Sequence, residues 1–280
     1  MSRSNLPAEL IKHAATIDKF ALPCVGFTLS PLKSSAHSAS RLGAEADLPK
    51  GFVWPTRKNR KLDFLLQISL QDLAAFPGAN SLPGAGLLSF FYDLKDQPWG
   101  YDPKDLDGFR VIYTAEGSPL ERHAPPHPDE ALNPCSLKFG EARSFPHYGS
   151  RDFDRLEKEA RFDERESEIY MDFADENSRL SPDAPHHRLL GHSNNVQGDM
   201  QLEAQLVTNG LYCGDGTGYN DARAGGLELG AEEWCLLLQL DSDDEAGFMW
   251  GDCGMLYYWI RRQDLLARRF DRVWMSLQCS

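Results

Sequence analysis

The chain has no cysteine-pairing motif, no long apolar run, no phosphate-binding loop and no surplus of basic residues, and each absence closes off a class of protein. Its six cysteines, Cys24, Cys135, Cys213, Cys235, Cys253 and Cys279, are scattered without a C-x-x-C pair. Neither a zinc knuckle nor a dithiol redox motif is encoded, and free, mostly buried thiols in a reducing cytoplasm are expected. The longest apolar stretches, Trp234 to Leu238 and Met255 to Ile260, fall far short of the roughly 20 residues of a spanning helix. Glu9 and Lys12 interrupt the N-terminal apolar pattern, which lacks the apolar core of an export signal. A cytoplasmic address and no membrane role are therefore expected. Gly214, Gly216 and Gly218 are followed by no lysine able to reach a phosphate, and no G-x-S-x-G elbow marks an α/β-hydrolase. Lysine and arginine total 29 against 42 aspartates and glutamates, and the resulting charge of −13 repels a phosphate backbone. No nucleic-acid partner is expected.

What is present is strand-rich text. At 280 residues, with 41% hydrophobic and 11% aromatic, the chain is able to hide about three quarters of its unfolded surface, which fits one compact domain over 1–280. Residues 1–61 read as an amphipathic helix, with Leu10, Ile11, Ala14, Ile17 and Ala21 at helical spacing after Pro7, followed by an irregular connection from Leu32 to Arg60. Leu62 to Ile68, Gly86 to Tyr92 and Phe109 to Thr114 are short β-branched or aromatic runs bounded by Pro, Gly and Asp, the pattern of strands. Trp234 to Leu240, Gly254 to Ile260 and Phe270 to Gln278 repeat that style. Between the two sets, 150–177 reads as a charged helix supported by Asp154/Lys158 and Glu157/Arg161, with a thin apolar stripe of Leu156, Ala160, Ile169 and Phe173. Cys213 to Gly226 reads as a flexible loop.

The two strand sets echo each other. Placing FLLQI over LLLQL sets Gln67 against Gln239, Gly86 against Gly254 and Arg110 against Arg272, which predicts an internal pseudo-repeat of 62–114 and 234–278. A competing register aligns QDLAAF (Gln71 to Phe76) with QDLLAR (Gln263 to Arg268). A unit this small is unable to cover both faces of its own sheet, so the two are expected to pack together around a shared core. The predicted class is α+β, mainly antiparallel sheet built from two related β-rich halves with peripheral helices, and the seam is the expected place for a pocket.

The blocks RLGAEADLP, GFVWP, LDFLLQISL, LPGAGLLSFFY, HRLLGHSNNVQGDM and LLLQLDSDDEAGFMWGDCGMLYYWI span most of the chain from Arg41 onward. In them the sequence resembles the YwqG-like bacterial proteins of unknown function. The resemblance implies a mixed α+β fold rich in antiparallel sheet, in a cytoplasmic protein, and carries over no catalytic residue. The family usually has a second glycine where this chain has Ala44.

Candidate chemistry is thin. Asp241, Asp243 and Glu245 form, with Asp252 downstream, the densest carboxylate group beside strands, and their spacing superficially resembles the opening of a calcium loop. A divalent cation, a solvated acidic turn and a surface for a cationic partner all remain open for it. Trp250 and Asp252 frame a turn into an aromatic strand, and Cys253 beside them needs a converging base to act as a nucleophile. His187, Gln197 and Asp199 are candidates for the rim of a site, because three polar groups beside a short apolar element need partners. Trp54, Trp99, Trp250, Trp259 and Phe91 are either a stacking platform or core. The expected function is a non-catalytic cytoplasmic binding or interaction protein, with an inhibitor or immunity-type partner-binder as one form of it. The alternative is a small-molecule enzyme or metal-binding protein using the acidic loop 241–252.

Overall fold

The apolar runs form strands that are largely covered on both faces, which is why they carry unbroken hydrophobic text instead of an in-out alternation. In the computed structural model, which describes residues 6–34 and 36–279, ten strands make one antiparallel sheet. Residues 1–5, 35 and 280 of the stretches expected above lie outside the described residues. The strands are β1 (Leu22–Pro31), β2 (Arg41–Leu42), β3 (Asp63–Ser69), β4 (Leu87–Tyr92), β5 (Phe109–Thr114), β6 (Cys135–Ser144), β7 (Arg188–Leu189), β8 (Trp234–Asp241), β9 (Met255–Arg261) and β10 (Trp274–Gln278). Their order across the sheet is β10-β9-β8-β7-β1-β6-β2-β3-β4-β5. The α+β class expected from the sequence is therefore the one adopted, with one meander at each end of the sheet. The ends curl toward each other: the Phe90 and Tyr258 rings lie 5.2 Å apart, those of Phe109 and Trp274 5.3 Å, and the Tyr258 hydroxyl donates to the Phe91 carbonyl. One buried apolar cluster draws on both meanders.

The centre of the sheet is a pair that the sequence does not announce. β1 and β6 align over ten residues, and Gly26 faces Gly140 across the ladder. Leu180 packs over both, so that a Cβ at Gly26 would stand 2.7 Å from its Cγ. These glycines, with Pro23 and Pro31 at the strand's ends, remove the composition by which a strand is recognised.

Each meander hangs from a two-residue strand by the same set of bonds. In one half the Arg41 Nε donates to the Glu45 carbonyl (2.7 Å), Gln67 Oε1 accepts from the Asp47 N–H (2.9 Å), and Gln67 Nε2 donates to the Ala39 carbonyl (2.9 Å). In the other, Arg188 Nη1 donates to the His192 carbonyl (2.9 Å), Gln239 Oε1 accepts from the Asn194 N–H (2.9 Å), and Gln239 Nε2 donates to the His186 carbonyl (2.8 Å). Arg41 pairs with Gln67 and Arg188 with Gln239 in the ladders, and the backbone turns left-handed two and three residues later in both. Ala44 accordingly holds φ +60° without being glycine. Both ladders also slip once, between Phe64 and Leu66 and between Leu236 and Leu238. Counting from the slip sets Phe91 against Trp259 and Arg110 against Trp274, whereas Arg272 lies in the turn before β10. QDLAAF follows β3 but QDLLAR follows β9, so they do not share this register.

The helices cover the sheet. A 3-10 turn, Ala8–His13, leads into α1 (Ala14–Phe20). The single charged helix expected over 150–177 is two, α2 (Arg151–Ala160) and α3 (Glu164–Asn177). Arg161 takes a left-handed φ of +57° and ends α2, and Asp163 with Glu166 closes a capping box that starts α3. Phe153, Leu156, Tyr170 and Phe173 pack with Leu10 and Ile17 in a separate cluster, so the stripe is wider than the spacing suggests. α4 (Met200–Val207) packs on β8 and β10. The expected loop 213–226 contains the helical turns Gly216–Tyr219 and Ala224–Leu227, and the Leu32 to Arg60 connection includes β2 and the short strands Ala46–Pro49 and Thr56–Arg57.

Candidate functional site

Successive residues of a strand point to opposite faces, so Trp259 faces away from the interior that Tyr258 enters. On that side lies a cavity of about 400 Å³. Trp234 and Leu236 of β8 and Trp259 of β9 form one wall. Leu22, Pro23, Pro77, Leu190 and Leu265 close the apolar sides, and Leu266, 75% exposed, stands at the mouth. Ser150 and Asp152 at the start of α2, His192, Ser193, Gln201 and Arg262 supply the polar groups. Elements from both halves of the chain thus meet here. A second hollow of about 270 Å³ is lined only by residues between Leu70 and Gly84 and includes no ionisable side chain.

The polar groups differ in how far they are already engaged. His192 Nε2 donates to the Phe20 carbonyl at 2.8 Å, and its Nδ1 lies 3.4 Å from Asp152 Oδ2. That imidazole holds the Asp152 carboxyl below the usual carboxylate range against the opposing effect of burial. Cys235, also on the wall, donates to the Ile260 carbonyl, and burial pushes its thiol up to about 11. It stays protonated at neutral pH. Trp259 is 3% exposed and its indole N–H has no hydrogen-bond partner. Arg262 is exposed and makes no hydrogen bond or salt bridge among the described residues, although its charge reaches Asp152 and Cys235. The arrangement is able to enclose an apolar body and hold an acceptor group at Arg262.

Apart from Trp259, the candidate site residues singled out from the sequence lie elsewhere. Trp54 packs edge-on against Phe91 at 5.5 Å and donates its Nε1 to the Leu62 carbonyl. His187 is buried, stacks on Phe27, accepts from the Asp241 N–H through Nδ1 and meets Asp243 Oδ2 through Nε2 at 2.9 Å. It fastens the acidic loop from within. Burial works to raise the Asp243 carboxyl, but His187 and the N–H groups of Glu245 and Ala246 outweigh it and leave the group below its ordinary value. Asp241 accepts from the His186 N–H, while Glu245 and Asp252 are exposed. Among the described residues no three His, Cys, Asp or Glu side chains are placed to hold a metal ion, Asp241, Asp243 and Glu245 included. Asp199 caps α4 and pairs with Arg151, and Gln197 donates to the Cys279 carbonyl. Trp250 is buried against Tyr92 and Phe248. His187, Asp241 and Asp243 are brought together, but none of these residues lines the cavity. The residues that do come from seven separate stretches with no common motif, and of them the sequence analysis had marked only Trp259 as a candidate for a site.

Fold and cavity together define an α+β protein in which a curled antiparallel sheet carries a small apolar-walled site. The chain belongs to the family described as Domain of unknown function (DUF1963), which matches residues 40–279. No curated protein matches it. Among the described residues no helix is long and apolar enough to cross a membrane.

Proposed function

We propose that this protein is a non-catalytic binder of a small organic molecule, held in the cavity beside Trp259. The observation that carries the reading is the cavity itself, whose mostly apolar lining of Leu22, Pro23, Leu190, Leu236 and Leu265 is joined by a few polar groups, Ser150, Asp152, His192 and Arg262 among them. A volume near 400 Å³ sits in the usual range for organic ligands, roughly 300–1,000 Å³. The engaged ring of His192 and the protonated thiol of Cys235 weigh against the enzyme reading. The free thiols of Cys24, Cys135, Cys213, Cys235 and Cys253 favour a reducing cytoplasm. The matching hydrogen bonds around Gln67 and Gln239 favour descent of the two meanders from one duplicated unit, and the text blocks from Arg41 onward favour the YwqG-like branch.

A thermal-shift screen of organic metabolites is the test, run on the wild type and on Leu266→Trp, whose larger side chain fills the mouth from an exposed position. A ligand at one hundred times its Kd adds about 2.7 kcal/mol, or roughly 5–10 °C in a chain of this size. The gain is expected in the wild type and not in the variant. Hits that stabilise both equally would place the ligand elsewhere.

A second reading, a protein partner, is favoured by one observation. The loop from Asp241 to Asp252 exposes Asp244, Glu245 and Asp252 around Met249, which is 53% exposed. Such a face suits a basic partner, and association that is insensitive to salt would count against it.

A further inference from the structure

We infer that the ligand of the cavity is an apolar zwitterion of dipeptide size, its ammonium at Asp152, its carboxylate at Arg262 and its aliphatic body in the apolar lining. This rests on the small-molecule reading above and is carried by two opposite charges that face one cavity without meeting. The lining includes one carboxylate, Asp152, and one guanidinium, Arg262. Asp152 lies in the first turn of α2 with its side chain 31% exposed, and Arg262 opens the short helix Arg262–Leu266 and is exposed. The Arg262 charge reaches Asp152, yet among the described residues the two form no ion pair. The contacts that Asp152 does make are long: His192 Nδ1 stands at 3.4 Å and Arg155 Nη1 at 3.5 Å, against about 2.7–2.9 Å for a close charge-assisted bond. Arg155 gives its other terminal nitrogen to Glu232. Asp152 therefore has room for a further donor.

Two opposite charges at one cavity select against ligands that carry only one. An acid seated at Arg262 brings its charge toward Asp152, and an amine seated at Asp152 brings its charge toward Arg262. An uncharged apolar body strips water from both ions without replacing it. A zwitterion answers both. The rest of the ligand follows from the apolar lining, in which Leu22, Pro23, Pro77 and Leu266 are exposed and Leu190, Leu236 and Leu265 are buried. The apolar side chains that a ligand meets first are aliphatic, and a volume near 400 Å³ suits a body of two residues.

Calorimetric titration with L-leucyl-L-leucine, its N-acetyl derivative and its C-terminal amide tests this. The free dipeptide is expected to bind about tenfold more tightly than either blocked form, and Leu266→Trp to abolish its binding. Arg262→Gln, an exposed change that leaves the fold intact, is expected to remove the advantage over the amide and to keep the advantage over the N-acetyl form. Asp152→Asn is expected to do the reverse. A blocked form that binds the wild type as tightly as the free dipeptide, and is lost in Leu266→Trp, would overturn the zwitterion inference and leave the small-molecule reading standing. Unchanged preferences in Arg262→Gln would overturn it as well. So would the absence of binding by all three, and the metabolite screen would then decide the wider reading separately.

Discussion

Glu203 shows how one half-buried group sets a pH dependence. It lies on α4, the Ser276 hydroxyl donates to its Oε1 at 2.9 Å, and burial pushes its carboxyl up to about 7. A carboxyl whose folded pKa exceeds the unfolded value is stabilising while protonated, so its contribution is full below the unfolded pKa and is lost as pH rises through 7. The expected loss between pH 5 and 8 is at most about 3 kcal/mol. Glu203→Gln keeps the acceptor for Ser276 and cannot ionise. Urea unfolding of both proteins at pH 5 and pH 8 should show the variant gaining on the wild type as pH rises; parallel curves would refute the assignment. Ala44 supports a second prediction at a single residue. Its left-handed backbone disfavours a Cβ, so Ala44→Gly is expected to raise unfolding free energy by up to about 1 kcal/mol, measured by denaturant titration. A drop would mean that unfolded-state entropy dominates there.

Among the elements, the β1/β6 pair depends on what its glycines lack. Leu180 fills the space above Gly26 and Gly140, so Gly26→Val forces Leu180 out of its seat at a cost of about 1–3 kcal/mol. Combining it with Leu180→Ala should recover part of that loss; additive costs would show that the two do not share the space. The α2–α3 junction depends on polar groups instead. Asp163→Ala removes one arm of the capping box and is expected to cost about 1 kcal/mol, seen as a lower midpoint in urea. These two cases also mark what could be read in the text. The meander strands were legible because burial on both faces leaves a dense apolar run. β1 and β6 were not, because glycine and proline are there for reasons that only a packed neighbour supplies. The break at Arg161 was hidden because a surface of alternating charge looks the same on one helix as on two.

At the scale of the whole molecule, the single core shared by both meanders leads us to expect one cooperative unfolding transition. Tryptophan fluorescence, which samples both halves through Trp54 and Trp274, and far-ultraviolet circular dichroism should give the same midpoint. Separate midpoints would show that the halves are independent.

The sequence by itself determined the class of fold, the meander strands and membership of a family of unknown function, because each is a property of local pattern or of text. The tertiary structure alone decided the cavity. Its polar groups stand on a strand end, a helix start, a turn and a second short helix that are far apart in the chain, and what joins them is the curl of the sheet. Which side chains meet around His192, and how a buried arginine such as Arg188 is answered through His186 by Asp175, depends on which neighbours the fold brings within about 3 Å, and no spacing in the chain encodes that.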